Sequence, residues 1–305
     1  MNFLNGCQAI DRIVGDMHMR KSSFENAKIT KKRKVVFVIG SGVSNAVAGL
    51  PLGVDMAKNL AKIFVGTEEK EQERFSKEIN RLVAKHSLLP NDFKTILFSL
   101  YKIYKQKIVD EVITRLSIKN IPRINFDIYA TLVFFLKDNY VDGVINFNFD
   151  EIFEHAVSEN NAQDVMVRVI NTKDAENHTR VYDTQSKHFK IPIHLKPHGS
   201  VSTPSSLRFA RKDFYRLEPL VGSILFKLLG EIPVTIVLIG FCMKNLDFTE
   251  QISKHLQPGS SLYVIDKKKD VVGLSLEKFY KGFIKVDNNN SLQDVMRCFR
   301  EKVES

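Results

Sequence analysis

Val35-Val-Phe-Val-Ile-Gly40-Ser41-Gly42-Val43-Ser44-Asn45 decides the fold. Its first five residues are continuously apolar and rich in β-branched side chains, the pattern of a strand buried on both faces rather than one. Gly-x-Gly then opens what reads as a helix. Glycines let a backbone turn tightly and approach a ligand, and a helix N-terminus directs unpaired N–H groups and positive potential at an anion. A phosphate cradle is one reading of this turn; a purely structural strand-to-helix turn is the other. Two familiar motifs fit poorly. Asn45 stands where a dinucleotide fingerprint needs its third glycine, and no Gly-Lys-Ser/Thr follows to make a P-loop.

Working outward, Val141–Phe147, Val234–Ile239 and Leu262–Ile265 repeat the buried-strand pattern, with Ile191–Leu195 and Phe283–Val286 as weaker candidates. Met56–Phe64, Phe75–Lys85, Phe93–Tyr104, Ile108–Leu116 and Ile128–Leu136 place apolar residues at helical spacings. A last helix is expected to start at a Ser291 cap with Asp294 three positions on, and to run toward Val303. The pattern predicts an α/β, Rossmann-like open parallel sheet with helices on both faces. Residues 1–30 read as a helical or partly ordered arm, and 31–305 as the main domain. A strand-free helical insertion occupies about 55–138, and Glu159–Lys190 reads as loop or short edge structure.

Composition is that of a folded globular chain: 305 residues, 44% hydrophobic and 26% charged. Val234–Met243, the longest strongly apolar run, is about half of what a membrane-spanning helix needs. No secretory signal pattern opens the chain, so a cytoplasmic protein without membrane contact is expected. Three scattered cysteines (Cys7, Cys242 and Cys298) exclude a disulfide framework and a four-thiolate zinc site. The net charge of +10 suits an anionic partner, but the basic residues are dispersed, and a solvated face explains them better than a polyanion groove.

Four further strand ends carry polar groups. In Asn146-Phe-Asn148-Phe-Asp150-Glu151, a persisting strand sends Asn146, Asn148 and Asp150 one way and both phenylalanines the other. Alternatively, Asn148 and Asp150 cap a helix starting near Glu151. His198, in Pro197-His198-Gly199-Ser200, is the one of eight histidines directly before a glycine at a strand end, and His can exchange a proton near neutral pH. His194 lies four residues earlier, but a strand does not bring those positions together, so no metal is expected. Gly240-Phe-Cys242-Met is a second Gly turn, and Asp266 ends a strand with a carboxylate suited to ribose hydroxyls.

Gly40-Ser-Gly-Val-Ser44, Asn148-Phe-Asp150, His198-Gly199, Gly240-Phe-Cys-Met243 and Tyr263-Val-Ile-Asp266, in this order over about residues 34–290, resemble the sirtuin-like superfamily. The likeness is strongest to its bacterial branch of NAD-hydrolysing antiphage effectors, and Lys212-Asp-Phe-Tyr215 adds to it. The paired Cys-x-x-Cys zinc module and the Asp-Phe-Arg of sirtuin deacylases are missing; Leu50-Pro51 is followed by Leu52-Gly53. Asn146-Phe147 replaces the usual Thr-Thr, and Cys242 stands where Ser is common.

The resemblance implies NAD+ as substrate and cleavage of its nicotinamide–ribose bond. Asn148 would position the water and the nicotinamide-side ribose, and His198 would polarise that water or a ribose hydroxyl. Gly40, Ser41, Gly42, Val43 and Ser44 would surround the diphosphate, Asp150 would orient the ribose or the loop, Gly240 and Cys242 would border NAD, and Asp266 would take the adenosine ribose. It also implies activation by homo-oligomer assembly or by a partner such as a HerA-like ATPase or another phage sensor, with nucleic acid reached through that partner. An NAD- or ADP-ribose-binding scaffold, a DNA-associated subunit and a deacylase are the alternatives.

Overall fold

A computed structural model describes residues 6–25, 33–86, 90–170, 182–185, 187–210, 219–241, 255–267, 274–287 and 290–305. Its centre is strand β1 (Lys34–Ile39), every residue of which is buried. Six further strands complete one sheet: β2 (Gly143–Asn146), β3 (Val167–Val169), β6 (Ile193–Leu195), β7 (Val234–Ile239), β8 (Ser261–Asp266) and β9 (Tyr280–Lys285). They stand in the order β3-β6-β2-β1-β7-β8-β9, and every pairing is parallel. A two-stranded antiparallel piece, β4 (Tyr182–Asp183) with β5 (His188–Phe189), lies apart from it. The sheet is the expected one, with β3 and the β4–β5 pair as the edge structure within 159–190.

Helices cover both faces. Val35, Phe37 and Ile39 of β1 join a core with α1 (Gly6–Glu25), α2 (Ser41–Ala48), α7 (Asp127–Lys137), α8 (Ile152–Glu159) and α10 (Leu292–Glu304). Val36 and Val38 point to the other face, against α9 (Pro219–Leu229) and the β4–β5 pair. This is why the strand has no polar position between Lys34 and Gly40. Helix α1 belongs to the first core: Ala9, Ile13 and Met17 are fully buried. Between β1 and β2 the described residues form helices and no strand. Helices α3 (Gly53–Val65), α4 (Glu69–His86), α5 (Phe93–Tyr104) and α6 (Gln106–Leu116) share a third core, which reaches the sheet edge through Phe149, Val201, Leu207 and Phe209. Helix α10 starts with a full capping box: Ser291 accepts from the Asp294 N–H, and Asp294 accepts from the Ser291 N–H.

The amino ends of β1 and β2 enclose charge. Asp142 is fully buried, accepts from Arg20 Nε at 2.8 Å and from the Val35 N–H at 2.9 Å, and lies 2.6 Å from His188 Nδ1. Burial pushes its carboxyl up, but Arg20 and His188 more than offset this and hold it well below the usual carboxylate range. α1, β1, β2 and β5 are thereby joined at one point. Lys34 is buried beside them. Its ammonium donates to the Lys227 carbonyl and lies 5.6 Å from the Tyr182 ring. Burial lowers its pKa from 10.5 to about 8, against the pull of Asp142.

The folded state thus favours neutral Lys34. That contribution is complete above pH 10.5, the ordinary lysine value, and is lost as pH falls through about 8. Urea unfolding of the parent is expected to show stability rising by about 3 kcal/mol across this window relative to Lys34→Met, whose curve lacks the rise. Parallel curves for the two proteins would contradict this account of Lys34.

Candidate functional site

The strand order reverses at β1. β2 lies on one side and β7 on the other, so the turns after β1 and β7 meet at the carboxyl edge, where open α/β sheets bind ligands. Here the two glycine turns are pressed together. The Gly42 N–H donates to the Gly240 carbonyl at 3.0 Å. A Cβ on Gly42 would lie 2.7 Å from Gly240 Cα, and Gly240 has a φ of +53°. This mutual approach requires glycine at both positions without any ligand. A phosphate at this turn competes with the Gly240 carbonyl for the Gly42 N–H.

Helix α2 begins at the same point. Gly40 precedes it and supplies no side-chain cap. Ser41 is half-buried and accepts from the Gly53 N–H at 3.3 Å. Val43 is packed in the core, and Ser44, one helical turn beyond Gly40, is buried and points toward β2.

Strand β2 ends at Asn146, where the Asn146 side-chain oxygen accepts from the Asn148 N–H at 2.9 Å. This local turn stops the strand, so the alternation through Asp150 does not persist. Phe147 packs toward the α9 face and Phe149 into the helical layer. Asn148 turns inward: its Nδ2 donates to the Gly40 carbonyl and to Ser44 Oγ, both at 3.0 Å. It does not cap α8. Asp150 does so in part, accepting from the Ile152 N–H at 3.2 Å, while its other oxygen accepts from Ser44 Oγ at 2.8 Å. Both carboxylate oxygens of Asp150 are engaged within the protein. Burial pushes its carboxyl above the ordinary value, opposed by the Lys196 charge and the Ser44 hydrogen bond.

His198 reaches the same strand end from the turn after β6. Its ring stands edge-on to Phe147 at 4.9 Å and lies 6.1 Å from Phe149, the two residues that flank Asn148. Phe147 also contacts Phe241, which follows the Gly240 turn, at 4.9 Å. Gly199 has a φ of +88°, and a Cβ there would fall 2.3 Å from the Ser206 carbonyl oxygen. The His198 carbonyl accepts from the Arg208 N–H at 3.1 Å, closing this loop. Asp266 sits at the end of β8, two strands from β1, half-buried, with one carboxylate oxygen accepting from the Lys267 N–H at 2.6 Å. Cys242 and Lys212–Tyr215 lie outside the described residues. The structure therefore brings Gly40 to Ser44, Asn148, Asp150, His198 and Gly240 to one end of the sheet, with Asp266 farther along the same edge.

Two members of this region escape sequence reading. Lys196 is fully buried, donating to the Asp150 carbonyl and to Glu154 at 2.8 Å. Its signal is a lysine inside the apolar run before Pro197. Tyr129 on α7 places its hydroxyl 3.3 Å from Ser44 Oγ, but lies in a stripe that reads as ordinary core. Burial and the Asp150 charge hold its phenol well above 10, against hydrogen bonding from Ser44 and Asn148. His194 is fully buried against Phe153 at 4.6 Å, and burial holds its pKa well below the usual histidine value. No group of three His, Cys, Asp or Glu among the described residues could hold a metal ion, and no described helix is long and apolar enough to cross a membrane.

The family model described as SIR2-like domain matches residues 142–280. That stretch is similar to a SIR2-like domain over just under half of the chain. The matched stretch runs from the start of β2 to the first residue of β9 and contains Asn148, Asp150, His198, Gly240, Cys242 and Asp266. The Gly40 turn lies outside it, joined to the matched stretch through β1 and Asn148. By structure, the chain is similar to one solved under "Structural Basis for the Mechanism and Regulation of Sir2 Enzymes". That likeness covers 96% of this chain and 98% of the other, at 10% identity and a TM-score of 0.43. No curated protein matches the sequence.

Within the matched stretch, Gly199 sets where His198 stands. Gly199→Ala is expected to cost about 2 kcal/mol or more in urea unfolding, from the positive φ and the contact with Ser206 together. A loss under about 0.5 kcal/mol would show that the loop relaxes without strain.

Proposed function

We propose that this protein is an NAD+ glycohydrolase, cleaving the bond between nicotinamide and ribose. The observation that carries the reading is the meeting of Gly40–Ser44, Asn148 and His198 at the switch point of a parallel sheet, part of which is similar to a SIR2-like domain. A dinucleotide laid across this edge has its diphosphate at the start of α2, its nicotinamide-side ribose at Asn148 and His198, and its adenosine ribose toward Asp266.

The chemistry suits these groups. The C–N bond electrons leave with the nicotinamide nitrogen, which is cationic in NAD+ and departs neutral, so no general acid is needed. An oxocarbenium-like ribose remains, comparable to that of glycoside cleavage. Water adds its oxygen to C1′ and releases one proton, giving ADP-ribose. Asn148 positions the water and ribose, and His198, exposed over 8% of its surface, takes up or polarises that proton. Uncontrolled loss of NAD+ would kill a cell. We therefore place the enzyme as an antiphage effector held inactive until it assembles with further copies or with a sensing partner such as an ATPase.

A second reading, a dinucleotide-binding subunit without turnover, is favoured by the commitment of the Asn148 amide to Gly40 and Ser44. Nicotinamide release by purified protein, measured over a range of concentrations, separates the two. Asn148→Ala and His198→Ala, each folded, are expected to lower turnover by about 100-fold or more. Parental rates in both variants would refute these assignments, and NAD+ binding without nicotinamide release in the presence of the activating partner would establish the second reading.

A further inference from the structure

The proton inventory around Ser44 assigns a role to Tyr129. A serine hydroxyl has one proton and two acceptor sites. With Asp150 ionised, the Ser44 proton goes to Asp150 Oδ2, the nearer partner at 2.8 Å, and Ser44 Oγ accepts from Asn148 Nδ2 at 3.0 Å. The remaining site faces the Tyr129 hydroxyl at 3.3 Å, which must therefore be the donor. Ser44 is then saturated and has one orientation.

That orientation fixes Asn148 in turn. Its Nδ2 faces two acceptors, the Gly40 carbonyl and Ser44 Oγ, and flipping the amide would set oxygen against oxygen at both. The Asn148 side-chain oxygen accepts from no group among the described residues, and Asn148 keeps 7% of its surface exposed. We propose that Tyr129, on the last helix before β2, is a positioning residue that locks Asn148 through Ser44 with its carbonyl oxygen turned outward. The group offered to the substrate is then a hydrogen-bond acceptor, matched to the O–H of a ribose or of the attacking water. The proposal rests on the hydrolase reading for its substrate. The lock itself is a property of the free protein.

Tyr129→Phe removes the hydroxyl and keeps the ring that meets Phe153 at 5.5 Å. In full-length protein labelled with ¹⁵N-asparagine, the Asn148 side-chain amide is assigned by its disappearance in Asn148→Asp, and its hydrogen exchange is followed. Tyr129→Phe is expected to speed that exchange about tenfold and, by leaving a buried Ser44 acceptor site unfilled, to lower the Tm by a few degrees. Its effect should be smaller in a Ser44→Ala background, where only the direct contact of the Tyr129 hydroxyl with the Asn148 amide remains. Nicotinamide release should fall about tenfold in kcat with KM little changed. Exchange unaltered by Tyr129→Phe, or equally accelerated with and without Ser44, overturns the lock whatever the turnover. Normal exchange effects in a parent that releases no nicotinamide with its activator present overturn the hydrolase reading beneath it.

Discussion

Strand β1 is hydrogen-bonded along both edges and covered on both faces, so nothing can bind along its length. The chain then leaves to one side for β2 and returns on the other for β7. Those two crossovers diverge at the carboxyl end of β1, where the described turns after β1, β2 and β7 come together. Polar residues at that end are costly in isolation. Asn148, Ser44 and Asp150 are nearly sealed from water, and each is retained by giving its donors and acceptors to the others. Satisfying that set of polar groups dictates the direction of the Asn148 amide.

The opposite end of the sheet has the converse character. There Asp142 gathers Arg20 and His188, joining α1 and the β4–β5 pair to the amino ends of β1 and β2. An uncompensated carboxylate in that position would be expelled by its own desolvation. The charges at this end tie α1 and β5 to the sheet, while Lys196 and Asp150 at the carboxyl end are buried beside Asn148 and Ser44. This division explains how one sheet carries two buried ionic clusters with different consequences.

Much of this was legible in the sequence because the determining signals are local. Continuous apolar runs with β-branched residues mark β1, β7 and β8, and the Ser291–Asp294 spacing marks the final helix. The strand ends holding Gly40, Asn148, His198 and Asp266 could be named for the same reason. What stayed hidden depends on contacts across the chain. Tyr129 is 85 residues from its partner Ser44 and sits in an apolar stripe, so nothing nearby distinguishes it from core. Strand β3 is three residues long in a polar region, and its identity comes from pairing with β6. The turn at Asn146 defeats simple alternation because an asparagine side chain can take the backbone N–H that a longer strand would use.

In the proposed function, the edge between the β1 and β7 turns receives a dinucleotide with its reactive ribose at Asn148. A crystal structure of Asn148→Ala protein soaked with NAD+ tests this most directly, since the slowed variant should retain the intact ligand. The account predicts density with the diphosphate at the first turn of α2 and the nicotinamide-side ribose beside position 148 and His198. Ordered NAD+ at any other site, or none at this edge at saturating ligand, would contradict it.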